Sequence, residues 1–532
     1  DVPTNTSATV ANYCVLNPIN LSTSSSTSNA NLRFTNTAGG SSWRSVGSTI
    51  APTSGKWYWE GVFSGSSGSG GGGIYGMVGV FNPNNYFITN YAAPLFVDIG
   101  YGYYGDDGNK KILGVTTSYG ATFTNGDIIG LALDLDSGTL TCYKNNVSQG
   151  VLVSGLSGPL TPAFANFDNN ATVTANFGQR PFSYTPPSGF VALNTFNLPT
   201  PTILQGNKYM DATLYTQNGA ASNVIVNDGQ FKPDLVWIKC RSNSGTFNNL
   251  VDSVRGVSSA LFSNSTAVQD SYPVFSSFNS NGFTLPLGDS GTNNTAGRTQ
   301  VAWQWQAGQS SGSSNTAGSI TSTVSVSTTA GFSVVTYTGT GSVATVGHGL
   351  GVAPKWIVVK GRTNVDNWPV YQASANASPA TGHLLLNTTA AFTSTSSTWN
   401  NTAPTSTVFT IGTDTRINQN TITYVAYCWA EIAGFSAFGS YTGNGSADGP
   451  FVYTGFRPKF VMVKRVDASG TNWTILDTAR DTYNYSHYEL YPNTSGAEVN
   501  ASSSYTEDIL SNGFKIRQTD ATWNASGGTY LV

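Results

Sequence analysis

Charge is the scarcest feature of this sequence: only 10% of its 532 residues are Asp, Glu, Lys or Arg, against about 25% in ordinary soluble proteins. The formal net charge is −3 and no Lys/Arg stripe exists. A nucleic-acid reader draws most of its affinity from phosphate neutralisation, so nucleic acid is not an expected partner. No run of about 18 apolar residues occurs, so no membrane-spanning helix is expected. Runs rich in Leu, Glu, Lys and Ala are also missing, which removes long amphipathic helices. Histidine appears only as His348, His383 and His487, with no Cys or Asp at ligand spacing. Zinc needs three or four convergent ligands, so no metal site is expected. The four cysteines, Cys14, Cys142, Cys240 and Cys428, fit neither a metal pattern nor a disulfide framework and read as buried free thiols. Residues 68–73 are glycine-rich but lack a Gly-Lys-Ser/Thr element, and no nucleophile elbow is recognisable. A catalyst is therefore not expected, nor is a cofactor.

What is present points one way. Aromatics make up 12% of the chain, glycine numbers 59, and Ser, Thr and Asn recur throughout. Thr, Val, Tyr and Phe suit a pleated strand, while Asn, Gly and Ser suit corners. The fold class is all-β. A chain of this length is expected to divide into about three to five domains.

One pattern occurs three times. A Pro-led apolar strand ends in lysine at Pro233-Asp234-Leu235-Val236-Trp237-Ile238-Lys239, Pro354-Lys355-Trp356-Ile357-Val358-Val359-Lys360 and Pro458-Lys459-Phe460-Val461-Met462-Val463-Lys464. Each follows a Tyr-Thr strand and turn (Tyr215-Thr216, Tyr337-Thr338, Tyr441-Thr442), and each precedes a phenylalanine strand at Phe283, Phe409 and Phe514. A closing aromatic strand follows, Val301-Ala302-Trp303-Gln304-Trp305 and then Val425-Ala426-Tyr427-Cys428-Trp429. In the third copy it begins at Thr529-Tyr530-Leu531-Val532, where the sequence ends. Half a strand leaves an exposed edge, so the natural chain is expected to continue beyond Val532. Likewise, Asp1-Val2-Pro3 carries neither an initiator Met nor a signal, which implies processing or an internal piece. The repeat is longer than a solenoid unit, so each copy is expected to be its own small β-sandwich. The boundaries read 1–193 for an N-terminal sandwich, 194–308 for the first repeat, 331–434 for the second and 435–532 for the third, incomplete at its C-terminus. Residues 309–330, nearly all Ser, Thr, Gly and Asn, read as a linker; the Thr-Val alternation from Thr321 to Val326 offers an edge strand instead. No spacer separates the second and third copies, which should form a rigid pair.

Residues 1–193 read differently. Ser54-Gly55-Lys56-Trp57-Tyr58-Trp59-Glu60 is followed by Gly76-Met77-Val78-Gly79-Val80, Gly100-Tyr101-Gly102-Tyr103-Tyr104-Gly105-Asp106-Asp107-Gly108 and Asn125-Gly126-Asp127-Ile128-Ile129-Gly130. Leu133-Asp134-Leu135-Asp136-Ser137-Gly138, a hairpin at Tyr143-Lys144-Asn145-Asn146 and Gly158-Pro159-Leu160-Thr161-Pro162-Ala163 complete the order. This series resembles the SPRY domain, which implies a bent, concanavalin-type β-sandwich used for protein interaction. With three repeats behind it, the chain resembles large structural proteins of tailed phages, especially marine and cyanobacterial ones. That resemblance implies a structural component of a virion fibre or surface appendage, extracellular at the virion surface, contributing to host attachment. Its implied partners are other virion or fibre proteins, copies of itself as a homo-oligomer with a trimer as candidate, and a host surface glycan. Two readings of other classes stand beside it: a secreted carbohydrate-binding, lectin-like protein, and a subunit of a cell-surface filament.

Among candidate sites, the cluster Tyr86, Tyr91, Tyr101, Tyr103 and Tyr104 has two readings. Loop tyrosines give large contact area at low entropic cost and can stack on sugar rings, whereas alternating strand tyrosines pack half-buried inside a sandwich. Asp134 and Asp136 share one strand face beside a turn, the pattern of turn chemistry rather than of two carboxylates facing across a cleft. Asp106-Asp107-Gly108-Asn109 lacks the distal Glu of a calcium loop and reads as a plain loop. His348, between two glycines, reads as a turn residue.

Overall fold

In a computed structural model of the chain, residues 7, 10–68, 70, 72–84, 95–271, 274–286, 295–501 and 507–532 are described. Two compact units result: residues 1–200 with 451–455, and residues 201–450 with 456–532.

The first unit is a two-sheet sandwich. One sheet runs in the order Leu16–Leu21, Arg44–Ser48, Thr161–Asn166, Gly76–Phe81, Gly100–Tyr104, Lys110–Ile112 and Val115–Thr117. The other runs Val147–Ser154, Thr139–Lys144, Ile128–Asp134, Lys56–Ser64, Thr172–Asn176, Arg33–Asn36 and Ser25–Ser28. Period-two patterning explains its core. Trp57, Trp59 and Phe63 face inward from one strand, and their register partners Leu133, Leu131 and Val173 face the same way. Gly61 occupies the inward position between Trp59 and Phe63, and the Phe164 ring from the opposite sheet fills that gap. A Cβ there would stand 2.6 Å from Phe164 Cε1, so glycine is a packing requirement. On the outer face, the buried Glu60 carboxylate accepts from the Ser183 and Tyr184 amides at 2.9 and 3.0 Å. This bond straps the segment after Asn176 onto the sheet.

The second unit contains all three repeats, and the same strand order recurs in each. The Tyr-Thr strand pairs with the closing aromatic strand, which pairs with the Pro-led strand, which pairs with a fourth. In the first copy these are Met210–Thr216, Thr299–Trp305, Leu235–Cys240 and Asn249–Asp252. In the second they are Phe332–Thr338, Thr423–Trp429, Trp356–Gly361 and Pro369–Gln372. In the third they are Ser440–Thr442, Thr529–Leu531, Phe460–Arg465 and Thr474–Asp477.

The copies are not separate beads. Each copy, read from the sequence at 194–308, 331–434 and 435–532, has the two sheets expected of a β-sandwich, and one apolar cluster runs through all three. It joins Trp237, Trp303 and Trp305 to Trp356, Tyr427 and Trp429, and both sets to Met462, Trp473 and Leu531. The reason lies in the Pro-led strands, which are apolar on both faces rather than alternating. A strand with that pattern needs cover on both sides. Val236 and Ile238 pack into the first copy's own second layer, and Leu235 and Trp237 face the shared core. Ile357 and Val359 divide from Trp356 and Val358 in the same way. The linker at 309–330 is corrected to structure: Ser313–Asn315 and Ser322–Ser327 extend the second copy's sheet beside Phe332–Thr338. Its Thr-Val alternation puts Val324 inside and leaves Thr323 half-buried on the opposite face. Among the described residues no helix is long and apolar enough to cross a membrane.

Candidate functional site

The tyrosines of Gly100–Tyr104 were the sequence's main binding candidates, and the strand gives each a different place. Tyr103 is fully buried, edge-on to Tyr119 and Phe123, and its hydroxyl donates to the Ala121 carbonyl. Burial holds its phenol well above the ordinary value. Tyr104 points to the other face, against Trp43 at 5.7 Å, with the Lys111 ammonium 4.7 Å above its ring. Tyr101 is half-buried against the sandwich core. The binding-patch reading of Tyr103 and Tyr104 is thus corrected to packing: both faces of this strand are covered, one by the core and one by the Trp43 cluster. Tyr86 and Tyr91 lie outside the described residues.

The carboxylates near turns serve those turns. Asp134 Oδ1 accepts from the Asp136 and Ser137 amides, both at 3.0 Å, and its other oxygen meets Lys56 at 3.0 Å. Asp136 accepts from the Gly55 amide at 2.7 Å, and Asp107 accepts from the Asn109 amide at 2.9 Å. His348 is buried, its Nδ1 accepting from the Leu350 amide at 3.2 Å. Among the described residues no group of three or more His, Cys, Asp or Glu could hold a metal ion. The four cysteines are buried free thiols, as the sequence suggested, and burial raises Cys14 to about 11.

Two buried Asp–Arg pairs lie instead where one repeat meets the next. Asp252 and Arg255 pair within the first copy, and the Tyr427 hydroxyl of the second copy donates to Asp252 at 2.8 Å while Arg255 donates to it at 2.9 Å. At the corresponding place Asp477 and Arg480 pair within the third copy, and the Trp303 indole of the first donates to Asp477 at 3.0 Å. Arg241 adds a two-pronged bond to Glu498 at 2.9 and 2.8 Å. The second copy has Gln372 and Ala375 where the others have Asp and Arg. Backbone bonds repeat at all three joints: the amides of Gln269, Phe392 and Glu498 donate to the carbonyls of Arg362, Val466 and Arg241 at 2.8, 2.9 and 2.9 Å. Each copy thus touches both others.

Two of the three lysines that end the Pro-led strands reach these joints. Lys239 Nζ lies 2.9 Å from the Thr494 carbonyl of the third copy, and Lys464 Nζ lies 3.4 Å from the Thr389 carbonyl of the second. Lys360 is capped within its own copy by the Gly361 carbonyl at 2.8 Å. All three are buried, and desolvation lowers each to about 8. The sequence displayed the lysine period without its meaning. Aligning the copies on their prolines would have exposed the Asp252/Arg255 and Asp477/Arg480 pairs, which fall at equal offsets.

Comparison with known proteins divides the chain along the same line. Residues 205–532 match a family described as a domain of unknown function (DUF7483), and residues 56–180 match the SPRY domain. A Ran-binding proteins 9/10 homolog of Drosophila melanogaster is 40% identical over 85 residues, 16% of this chain and 9% of that protein. Human Ran-binding protein 9 is 40% identical over the same length, 12% of its own. The chain therefore spans only a small part of those curated relatives. Among solved structures, the SPRY domain of human HERC1 covers 31% of this chain and 99% of its own at 20% identity, with a TM-score of 0.24. The N-terminal region is thus a SPRY domain, as the order of motifs implied.

Proposed function

The chain belongs to the DUF7483 family, and from that premise we propose that it is a non-catalytic structural component of a virion fibre or surface appendage. In this reading the SPRY domain is an interaction module, and the three-repeat unit is its stiff carrier. The observation that carries the reading is the closure of the three copies around one tryptophan-rich core, with Asp–Arg pairs and backbone bonds at the joints. A body closed in this way has no short, weakly packed hinge between copies, which suits load-bearing rather than a lid or a cleft. Its buried Asp–Arg pairs serve internal joints. The names of the Ran-binding relatives add support for protein interaction by the SPRY part. The protein then sits at the virion surface among other virion or fibre proteins, as a homo-oligomer that contributes to host attachment.

The test is immunogold electron microscopy with antibody against the folded chain, on particles from cultures that express it. Label along fibres or appendages of the particles is expected. Label confined to the cell interior or to the free medium would sink the proposal.

A further inference from the structure

Two strands that lie at the margin of their layers are covered along the free side. In the SPRY unit, Val147–Ser154 ends its sheet, and there the Lys110 ammonium donates to the Leu152 carbonyl at 2.9 Å and the Tyr119 hydroxyl to the Gly150 carbonyl at 2.6 Å. In the second copy, Ala344–Gly347 pairs with Val408–Ile411 on one side. Beyond it, the Thr345 carbonyl accepts from the Ile320 amide at 3.0 Å, and the Thr345 amide donates to Ser319 Oγ at 2.8 Å. The counterpart in the first copy is Ser222–Val226. Aligning Ile225 and Val346 on their partners Phe283 and Phe409 places Val224 where Thr345 stands.

Among the described residues, Ser222–Val226 has no such cover. Its ladder to Gly282–Pro286 continues into Asn227, whose amide donates to the Asn281 carbonyl at 3.0 Å. Antiparallel pairs alternate, so Asn223 and Ile225 bond Gly282–Pro286, while the amides and carbonyls of Ser222, Val224 and Val226 point off the edge. The Ser222 carbonyl accepts from Asn218 Nδ2 at 3.4 Å. No described residue bonds the Val224 or Val226 backbone on that side. Both valines are also open to water, 57% and 43% exposed. Edge strands are ordinarily blunted by Lys, Pro, a charge or a bulge, because an open edge is a template for pairing. This edge has none of these: its ladder is regular from Ser222 to Val226, and no charged residue or proline lies between Asp211 and Asp228.

The lack of charge also selects the occupant. Two copies meeting antiparallel across a two-fold axis set this strand against itself, so a charge at its centre would meet its like. Ser222–Val226 pairs with itself without that conflict: Val224 faces Val224, and Val226 faces Ser222. Each facing pair exchanges two N–H···O bonds, and two three-stranded sheets become one of six strands. An acidic or basic partner finds nothing here to match. A strand this short buries less than the about 800 Å² per partner of a standard interface, so the contact depends on protein concentration.

We propose that Ser222–Val226 is a dimerisation edge that takes the same strand of a second copy of the chain in antiparallel register. It deepens the homo-oligomer part of the proposed function and rests on that reading for its biological setting. The test is sedimentation velocity of the full chain at about 100 µM, which populates dimers of micromolar affinity. A dimer is expected, and Val224→Lys, which sets two ammonium groups face to face on the axis, weakens association by about tenfold or more. Val365→Lys, at a position 71% exposed in the second copy, leaves association unchanged. Both positions are exposed, so matching melting curves separate lost pairing from lost fold. Cross-linking checks the register. The four native thiols are buried, and facing Cβ atoms lie about 5 Å apart, so Val224→Cys joins two chains through a short bismaleimide and Val365→Cys does not. A monomer at that concentration, a Val224→Lys variant that dimerises as the wild type does, or equal cross-linking of the two cysteine variants overturns the edge. Each of these results leaves the fibre proposal standing if immunogold still places the protein on particles.

Discussion

At the scale of single residues, histidine shows how context replaces chemistry. His383 is 1% exposed, between Arg416 and Thr398. Arg416 Nη1 donates to His383 Nε2 at 2.9 Å, so Nδ1 carries the proton toward Thr398 Oγ1 at 3.0 Å. Thr398 in turn donates to Asp414 at 2.7 Å. Burial first, and then the Arg416 charge, lower the imidazole from 6.5 to about 4. The unfolded chain takes up that proton at a higher pH than the folded one. The contribution to stability is complete above about 6.5 and is lost as pH falls toward 4, to a total of about 3 kcal/mol. Thermal melts of the wild type between pH 7 and pH 4 should show that decline, and His383→Gln, which can accept from Arg416 and donate to Thr398, should flatten it. Equal slopes in both proteins would refute the assignment. None of this was legible in the sequence, where His383 and its partners lie up to 33 positions apart with nothing to join them. The tyrosines show the reverse. Alternation along Gly100–Tyr104 had already offered the packing reading, and only the Trp43 cluster covering the second face was out of sight.

At the scale of elements, legibility follows pattern strength. The Pro-led strands, the closing aromatic strands and the SPRY series were visible because their side chains repeat in fixed order. Residues 309–330 were harder, because Ser, Thr and Gly suit a linker and an edge strand equally. Burial decides between them: Val324 is 4% exposed, packed with Val335, Tyr337 and Val346. Two antiparallel ladders then hold Ser322–Ser327 in place, one to Ser313–Asn315 and one to Phe332–Thr338. Val324→Ala should therefore cost about 2 kcal/mol, the transfer of two buried carbons plus the space they leave. A residue in a flexible linker would cost close to nothing. Chemical denaturation followed by tryptophan fluorescence measures the difference, and a shift below about 0.5 kcal/mol would return the segment to the linker class.

At the scale of the molecule, the decisive fact is that the second unit shares one core while its sequence reads as three domains. The repeat period shows where copies begin, but not whether their outer faces meet solvent or each other. The only hint was the absence of alternation in Leu235–Cys240, Trp356–Gly361 and Phe460–Arg465, which demands cover on two sides. Trp305 makes the consequence testable. Its ring lies 5.9 Å from Trp429 of the second copy and 5.7 Å from Phe460 of the third. Truncating it to Ala should cost about 4 kcal/mol, and the loss should be felt by all three copies because they lean on the same ring. In native-state hydrogen exchange of the full chain, amides of Thr423–Trp429 and Phe460–Arg465 should lose protection together with those of Thr299–Trp305, while Lys56–Ser64 of the SPRY domain stays protected. Separate domains would confine the loss to the first copy. Protection that stays at wild-type levels in the second and third copies would therefore disprove the shared core as a cooperative unit.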